Sequence, residues 1–138
     1  MQIARRGDGA SMTIAQLGQR EGMSVPNVAK IMRLLRRGGL VRSTRGQTGG
    51  YTLARPPREI LVGEVLSALG PRLFDSQFCE RHAGLEDLCL HVGDCSIQPV
   101  LRQLQDAVDN VMGRLTLHSL LDGNGHPTTA RAVELPLS

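Results

Sequence analysis

Aromatic side chains are almost absent from this chain of 138 residues, which contains two Phe, one Tyr and no Trp. Apolar residues still make up 41% of the sequence, so the core must be built from Leu, Val, Ile, Ala and Met. This composition favours helices and excludes a wholly disordered chain. The length fits one domain with at most a small appended element and excludes a large two-domain enzyme.

Long apolar runs are also missing, since none approaches the roughly 18 residues that span a bilayer. Residues 1–15 lack the apolar centre of a secretion signal, so we expect a cytoplasmic protein with no membrane partner. Cysteine is scarce, and its three occurrences lie close together at Cys79, Cys89 and Cys95. An odd, clustered set in a cytoplasmic chain indicates reduced thiols in a metal or redox site rather than a disulfide framework.

Acidic residues are absent from residues 22–58, which carry eight Lys and Arg side chains and a formal charge of +8. The other eight basic residues and all 13 acidic residues lie elsewhere, and that remainder sums to −5. A solvated basic face is one explanation, but a polyanion is the natural partner of such a segment. The eight residues are Lys30, Arg33, Arg36, Arg37, Arg42, Arg45, Arg55 and Arg58.

Two short helices joined by a turn are predicted at the start of this basic segment. Thr13 and Gln16 have the capping-box spacing, ahead of a helix that ends near Gly22. Ser24 is the N-cap of a second helix over residues 25–37, in which apolar residues recur at helical spacing. This pattern predicts a helix-turn-helix whose second helix reads DNA. Its candidate contact residues are Ser24, Pro26, Asn27, Lys30 and Arg33.

A β wing is predicted to follow, with strands over residues 40–43 and 51–54 around a glycine-rich turn. An Arg at the tip of such a wing can enter a narrow minor groove, where the negative potential is concentrated. The turn alone is typical of any hairpin. It indicates a DNA-binding wing only because a helix-turn-helix precedes it. The candidate contact residues of the wing are Arg42, Arg45, Gly46 and Tyr51.

The cysteine segment, residues 71–96, is predicted to be a loop that holds a metal site. Nine residues separate Cys79 from Cys89 and five separate Cys89 from Cys95, whereas structural zinc sites usually pair cysteines two to four residues apart. Spacing alone therefore leaves three alternatives: an iron-sulfur cluster, a zinc site completed by His82 or His91, and inert or redox-sensing thiols. His91 is the better placed histidine, because it lies two residues beyond Cys89.

A long helix is predicted after the cysteines, over residues 97–121, followed by a flexible tail over residues 122–138. Its apolar stripe has heptad spacing over about 28 Å, and a second copy of the chain would cover it. A homodimer would place two reading helices about one turn of DNA apart, on an approximately palindromic operator. The stripe consists of Ile97, Leu101, Leu104, Val108, Val111 and Leu115.

The chain resembles the IscR/NsrR/RirA type of bacterial winged-helix regulators over nearly all of residues 1–121. The resemblance is carried by the runs Thr13–Leu17, Leu34–Val41, Arg45–Pro56 and Gly63–Val65 and by the three cysteines. It implies a mainly α fold: a winged helix-turn-helix with a two-stranded wing in residues 1–70, the cysteine loop, and a dimerisation helix. It also implies a homodimeric transcription factor, not an enzyme, whose Cys79, Cys89 and Cys95 hold an iron-sulfur cluster that sets DNA affinity.

The chain departs from that family at two points. Only residues 1–6 stand where relatives carry a fuller first helix, so a shortened N-terminal helix is expected. Gln98 stands where relatives with a 2Fe-2S cluster can place a His, which leaves the fourth ligand, for which His91 is the candidate, and the choice between 2Fe-2S and 4Fe-4S open. A winged-helix regulator that uses the cysteines as thiol sensors, and a zinc-stabilised interaction module, are the alternative functions.

Overall fold

The computed structural model describes residues 1–7, 9–46, 49–73 and 96–123. It is mainly helical, with one two-stranded antiparallel sheet among the described residues, as the sequence predicts. The elements in chain order are α1 (Gln2–Arg5), α2 (Ile14–Glu21), α3 (Val25–Arg37), β1 (Val41–Thr44), β2 (Gly50–Leu53), a short 3-10 helix (Pro57–Glu59), α4 (Val62–Leu69), α5 (Ile97–Met112) and α6 (Leu117–Leu121).

The helix-turn-helix forms where the capping residues predict it. The Thr13 hydroxyl accepts a hydrogen bond from the Gln16 amide at 3.1 Å, and the Gln16 side chain accepts one from the Thr13 amide at 3.0 Å. These two bonds satisfy amides that the first turn of α2 cannot pair internally. The helix ends at Gly22, whose φ of 63° is the left-handed conformation that glycine tolerates best.

The wing pairs Val41 with Leu53 and Thr44 with Gly50. A third segment joins it, because Met12 exchanges two backbone hydrogen bonds with Tyr51, at 3.0 and 2.8 Å. Met12 is fully buried. Met12 was not among the predicted core residues, although it precedes the N-cap of α2 and can pack on Leu17 as a hydrophobic staple.

The core of the winged domain is aliphatic and rich in methionine, as the lack of aromatic residues requires. Its buried members come from α1, from the Met12 bridge, from both helices of the helix-turn-helix and from β1. The partly buried Tyr51 packs against them. The buried members are Ile3, Met12, Leu17, Val28, Met32 and Val41.

The predicted single helix over residues 97–121 is wrong in its length, because α5 ends at Met112 and α6 is separate. The sixteen residues of α5 span about 24 Å rather than 28 Å. The Leu115 carbonyl accepts a hydrogen bond from the Val62 amide at 2.8 Å, and the Leu117 amide donates to Ile60 at 2.9 Å. Leu115 therefore does not belong to the apolar stripe of α5, and its backbone is instead paired with residue 62.

Two predicted regions lie largely outside the described residues. Cys79, Cys89, Cys95, His82 and His91 belong to residues 74–95, and the tail from residue 124 onward is likewise outside them. One described residue of the cysteine segment contacts α5, because the Arg72 guanidinium lies 3.3 Å from the Asp109 carboxylate. The preceding helix α4 also packs against α5. No described helix is long and apolar enough to cross a membrane.

Candidate nucleic-acid interface

The helix α3 divides into a buried face and an open face. Val28 and Met32 are each 4% exposed and pack into the core, which fixes the rotation of the helix about its axis. The opposite face carries Pro26, Asn27, Lys30 and Arg33, all exposed. Ser24, the N-cap, is also exposed, and its side chain makes no capping hydrogen bond, so the hydroxyl is available to a ligand. The predicted reading residues therefore lie together on one accessible surface.

The wing presents a second accessible surface at its tip. The Thr44 hydroxyl donates a hydrogen bond to the Gly50 carbonyl at 3.2 Å, and the Gly46 carbonyl accepts from the Gly49 amide at 2.9 Å. Gly46 has a φ of 116°, a conformation that residues with a Cβ rarely adopt. Arg45 is exposed immediately before it. The turn thus projects the Arg45 guanidinium away from the core.

The remaining two wing candidates differ in accessibility. Arg42 is exposed on β1, opposite Thr52. Tyr51 is only half-exposed, because its ring packs against the core and its backbone is paired with Met12. Its role in holding the wing on the domain is visible in these contacts, while its contact with DNA stays a prediction.

The basic segment keeps nearly all of its charge uncompensated. Among the described residues, Arg55 is its only member in an ion pair, with 2.8 Å between its Nη2 and the Glu64 Oε1. Glu64 also accepts a hydrogen bond from the Leu61 amide at 2.9 Å. That backbone bond and, after it, the Arg55 side chain lower the pKa of Glu64 below its ordinary 4.5. The other basic side chains of the segment make no ion pair with the described part of the chain, so within that part their charge is available to an anionic partner.

Two glycines matter for reasons that the sequence analysis did not give. A Cβ on Gly50 would lie 2.6 Å from the Met12 carbonyl oxygen, so only glycine lets β2 approach the Met12 bridge. A Cβ on Gly38 would lie 2.8 Å from the Ala68 Cβ, so Gly38 lets α4 pack closely against the end of α3. From the sequence, Gly38 only follows the predicted helix over residues 25–37 and Gly50 only belongs to the glycine-rich turn of the wing. Their three-dimensional neighbours show that both allow close packing.

No metal centre lies within the described part of the chain, where no three His, Cys, Asp or Glu residues gather closely enough to hold an ion. The three cysteines and His91 lie outside that part. The described residues therefore do not test whether these four side chains come together as ligands of a cluster.

Comparison with known families identifies the chain. Residues 1–123 match the Rrf2 model, which is described as an iron-dependent transcriptional regulator. The chain belongs to the Rrf2 family. It is a winged-helix DNA-binding transcriptional regulator and not an enzyme.

Individual relatives agree with this assignment. The HTH-type transcriptional regulator IscR of Cronobacter sakazakii is 29% identical over 122 residues, which cover 88% of this chain and 72% of that protein. The T. potens IscR structure superposes with a TM-score of 0.67 at 26% identity, covering 94% of this chain and 82% of that one. The structure of CymR, the global cysteine regulator of B. subtilis, gives 0.66 at 25% identity, covering 88% and 86%.

Proposed function

We propose that α3 and the wing form the DNA interface of a regulator whose operator affinity is set by an iron-sulfur cluster. Ser24, Pro26, Asn27, Lys30 and Arg33 would contact bases and phosphates in a major groove. From the wing, Arg45 and Gly46 would enter the neighbouring minor groove, with Arg42 and Tyr51 at its edge. The observation that carries this proposal is the uncompensated basic surface shared by the open face of α3 and the tip of the wing.

The functional unit is proposed to be a homodimer formed through α5. Four of its apolar side chains are open to solvent in the single chain, and they lie within one face of the helix. Covering that face with a second copy would remove the apolar surface from water and bring two reading helices onto an approximately palindromic operator. The four residues are Ile97, Val100, Leu104 and Val111.

Cys79, Cys89 and Cys95 are proposed to hold the cluster, with His91 as the candidate for the remaining position. Thiolates are the ligands that iron-sulfur irons prefer, and three thiolates with one imidazole form a suitable donor set. When bound, the cluster would supply a group that forms or decays in response to iron, oxygen, nitric oxide or redox state. The iron-dependent description of the family and the similarity to IscR support this assignment.

A contiguous route joins the cysteine segment to the reading helix. Arg72 pairs with Asp109 on α5, and the backbone bonds of Leu115 and Leu117 tie the segment after α5 to residues 60–62, at the start of α4. Farther along, α4 packs on the end of α3 through Ala68 and Gly38. A change in the cysteine segment would alter DNA binding only if the two states present α3 differently.

A second candidate is a regulator without a cluster whose cysteines sense thiol chemistry. The near-equal structural similarity to the global cysteine regulator of B. subtilis supports it. The two candidates share the DNA interface and differ in what the cysteines hold. Visible absorption, with iron and sulfide analysis of protein purified without oxygen, separates them, because thiols alone do not absorb in the visible range.

The DNA interface is tested by the salt dependence of binding to duplex DNA. We expect log affinity to fall with log salt concentration with a slope of about −0.9 for each phosphate neutralised. A nearly flat response would overturn the interface proposal.

The cluster proposal is tested by Cys79→Ala, Cys89→Ala and Cys95→Ala, each of which should remove most bound iron and shift operator affinity. His91→Ala should alter the cluster spectrum while the fold is retained. Full iron content and parental affinity in all three cysteine variants would refute the cluster switch.

A further inference from the structure

We propose that a groove between the C-terminal end of α3 and the base of the wing holds one DNA backbone phosphate between Arg36 and Arg42. This inference rests on the proposed DNA interface and adds a contact to it. The groove is open to solvent and is lined by Arg36, Gly39, Arg42, Ser43 and Arg55, together with two apolar residues. None of the described residues that line it is acidic.

The uncompensated positive charge of this groove depends on which of its three arginines forms an ion pair. Arg55 is held by the Glu64 carboxylate at 2.8 Å and by the Glu59 carbonyl at 3.1 Å, so its charge is compensated and its position is fixed. Arg36 and Arg42 are exposed and make no ion pair with any described residue. Two free guanidinium groups on one groove match the oxygen atoms of a phosphate, which planar Arg forks bind well.

The other lining residues leave space for such a group. Gly39 has a φ of 71° and no heavy atom within 4 Å of the position that a Cβ would take. The exposed Ser43 hydroxyl makes no hydrogen bond with the described part of the chain and adds a donor at the rim. The groove therefore combines open space with donors from a helix end and from a strand.

The position of the groove points to a DNA phosphate rather than to a free anion. A phosphodiester strand separates each major groove from the adjacent minor groove. If α3 occupies the major groove and the wing tip the minor groove, this strand must cross the crease between them. Arg36 lies one helical turn beyond Arg33, and Arg42 lies three residues before Arg45, so the groove is bounded by the two elements that are proposed to contact DNA.

The first test compares two double variants that remove the same total charge. Arg36→Gln with Arg42→Gln should make the salt slope on a random-sequence duplex less steep by about 0.9, the loss of one phosphate contact. Arg102→Gln with Arg114→Gln is the matched control, because both residues are exposed on or after α5, outside the basic segment. The control should keep the parental slope. Equal slopes in the two double variants would overturn the groove assignment.

The second test locates the phosphate on an operator selected from random duplexes. Single methylphosphonate substitutions, which remove one charge at a time, should reveal one position between the two groove footprints that weakens binding of the parent protein. At that position the groove variant should lose nothing further, since the phosphate and the two arginines act as one unit. Additive losses at every position would refute the proposal.

Two further outcomes separate this inference from the proposed function. If the parent fails to bind any duplex, the DNA interface itself fails, and the groove proposal fails with it. If the parent binds DNA, the groove variant keeps the parental salt slope, and inorganic phosphate stabilises the parent but not the variant, the groove belongs to a free anion and only the further inference is overturned. Circular dichroism of each variant establishes that it is folded.

Discussion

The helices α3 and α5 are both amphipathic, yet in the single chain the apolar face of α3 is buried and much of that of α5 is exposed. On α3 the apolar residues Val28 and Met32 are each 4% exposed. On α5 several apolar side chains stay open, with Ile97 63% and Leu104 47% exposed, Leu101 and Val108 are half-buried, and the one buried residue is the polar Gln105. The same helical spacing therefore indicates that a helix has an apolar partner without saying whether the partner belongs to the same chain.

The largest expected effect comes from a charge on the open stripe of α5. Leu104→Asp would place an unpaired carboxylate in the proposed two-fold interface, and each dimer would contain it twice. We expect a loss of dimer stability on the order of 6 kcal/mol for the two copies together, which would leave monomer or aggregate in sedimentation velocity.

The matched control is Asn110→Asp, which adds the same charge at an exposed position of α5 outside the stripe. It should leave the oligomeric state unchanged. A stable dimer of Leu104→Asp would show that α5 is covered by something other than a second copy.

Met32→Ala tests the buried apolar face of α3. Removing this side chain leaves a cavity in the winged core and should lower the free energy of unfolding by about 2–5 kcal/mol. Leu104→Ala on the open stripe should instead lower the unfolding midpoint only where the dimer is populated. Urea unfolding at several protein concentrations separates the two, because the shift in midpoint relative to the parent should depend on concentration for Leu104→Ala and not for Met32→Ala. The opposite result would reverse the assignment of buried and open faces.

Much of the winged domain was predictable because its signals are local. The Thr13 and Gln16 capping box, Gly22 and the spacing of Val28 and Met32 act within a few residues of each other, and each appears in the structure as predicted. The end of α5 was not predictable from its stripe. Its apolar period continues to Leu115, but α5 ends at Met112 with Gly113 as its C-cap, and the Leu115 carbonyl accepts a hydrogen bond from the distant Val62 amide.

The candidate site was partly predictable for the same reason. Exposure of Lys30 and Arg33 follows from the buried face of α3, and Arg45 lies at a turn that glycines define. The compensation of Arg55 by Glu64 depends on a pair nine residues apart, which charge counting alone does not find. Charge counting therefore misses that Arg55 is compensated, the one such pair that this segment forms among the residues described in the structure.

A change at the wing tip tests whether the open surfaces of the winged domain have the proposed role. Arg45→Ala should weaken binding to a selected operator by roughly 1–3 kcal/mol without changing the fold, because its guanidinium is proposed to enter a groove. Arg20→Ala, an exposed change on α2 outside the basic segment, is the control. Equal affinities of the two variants in fluorescence anisotropy would remove Arg45 from the interface.

The smallest expected effect concerns Glu64, the acidic partner that joins the start of α4 to Arg55. Glu64→Gln keeps the size of the side chain and removes its charge, and since the pair is partly exposed we expect a loss of only about 0.5–1 kcal/mol in unfolding free energy. The folded-state pKa of Glu64 lies below its ordinary 4.5, so its contribution is complete above that pH and is lost as the pH falls through the lowered pKa.

The stability difference between parent and Glu64→Gln should accordingly be constant near neutral pH and shrink in acid. Glu59→Gln is the control, because the Glu59 side chain is exposed and it is the backbone carbonyl of that residue that accepts a hydrogen bond from Arg55. Urea unfolding across this pH range measures both variants. A difference that persists in acid would mean that the Glu64 side chain acts through packing rather than through its charge, and Arg55 would then count among the uncompensated arginines of the basic segment.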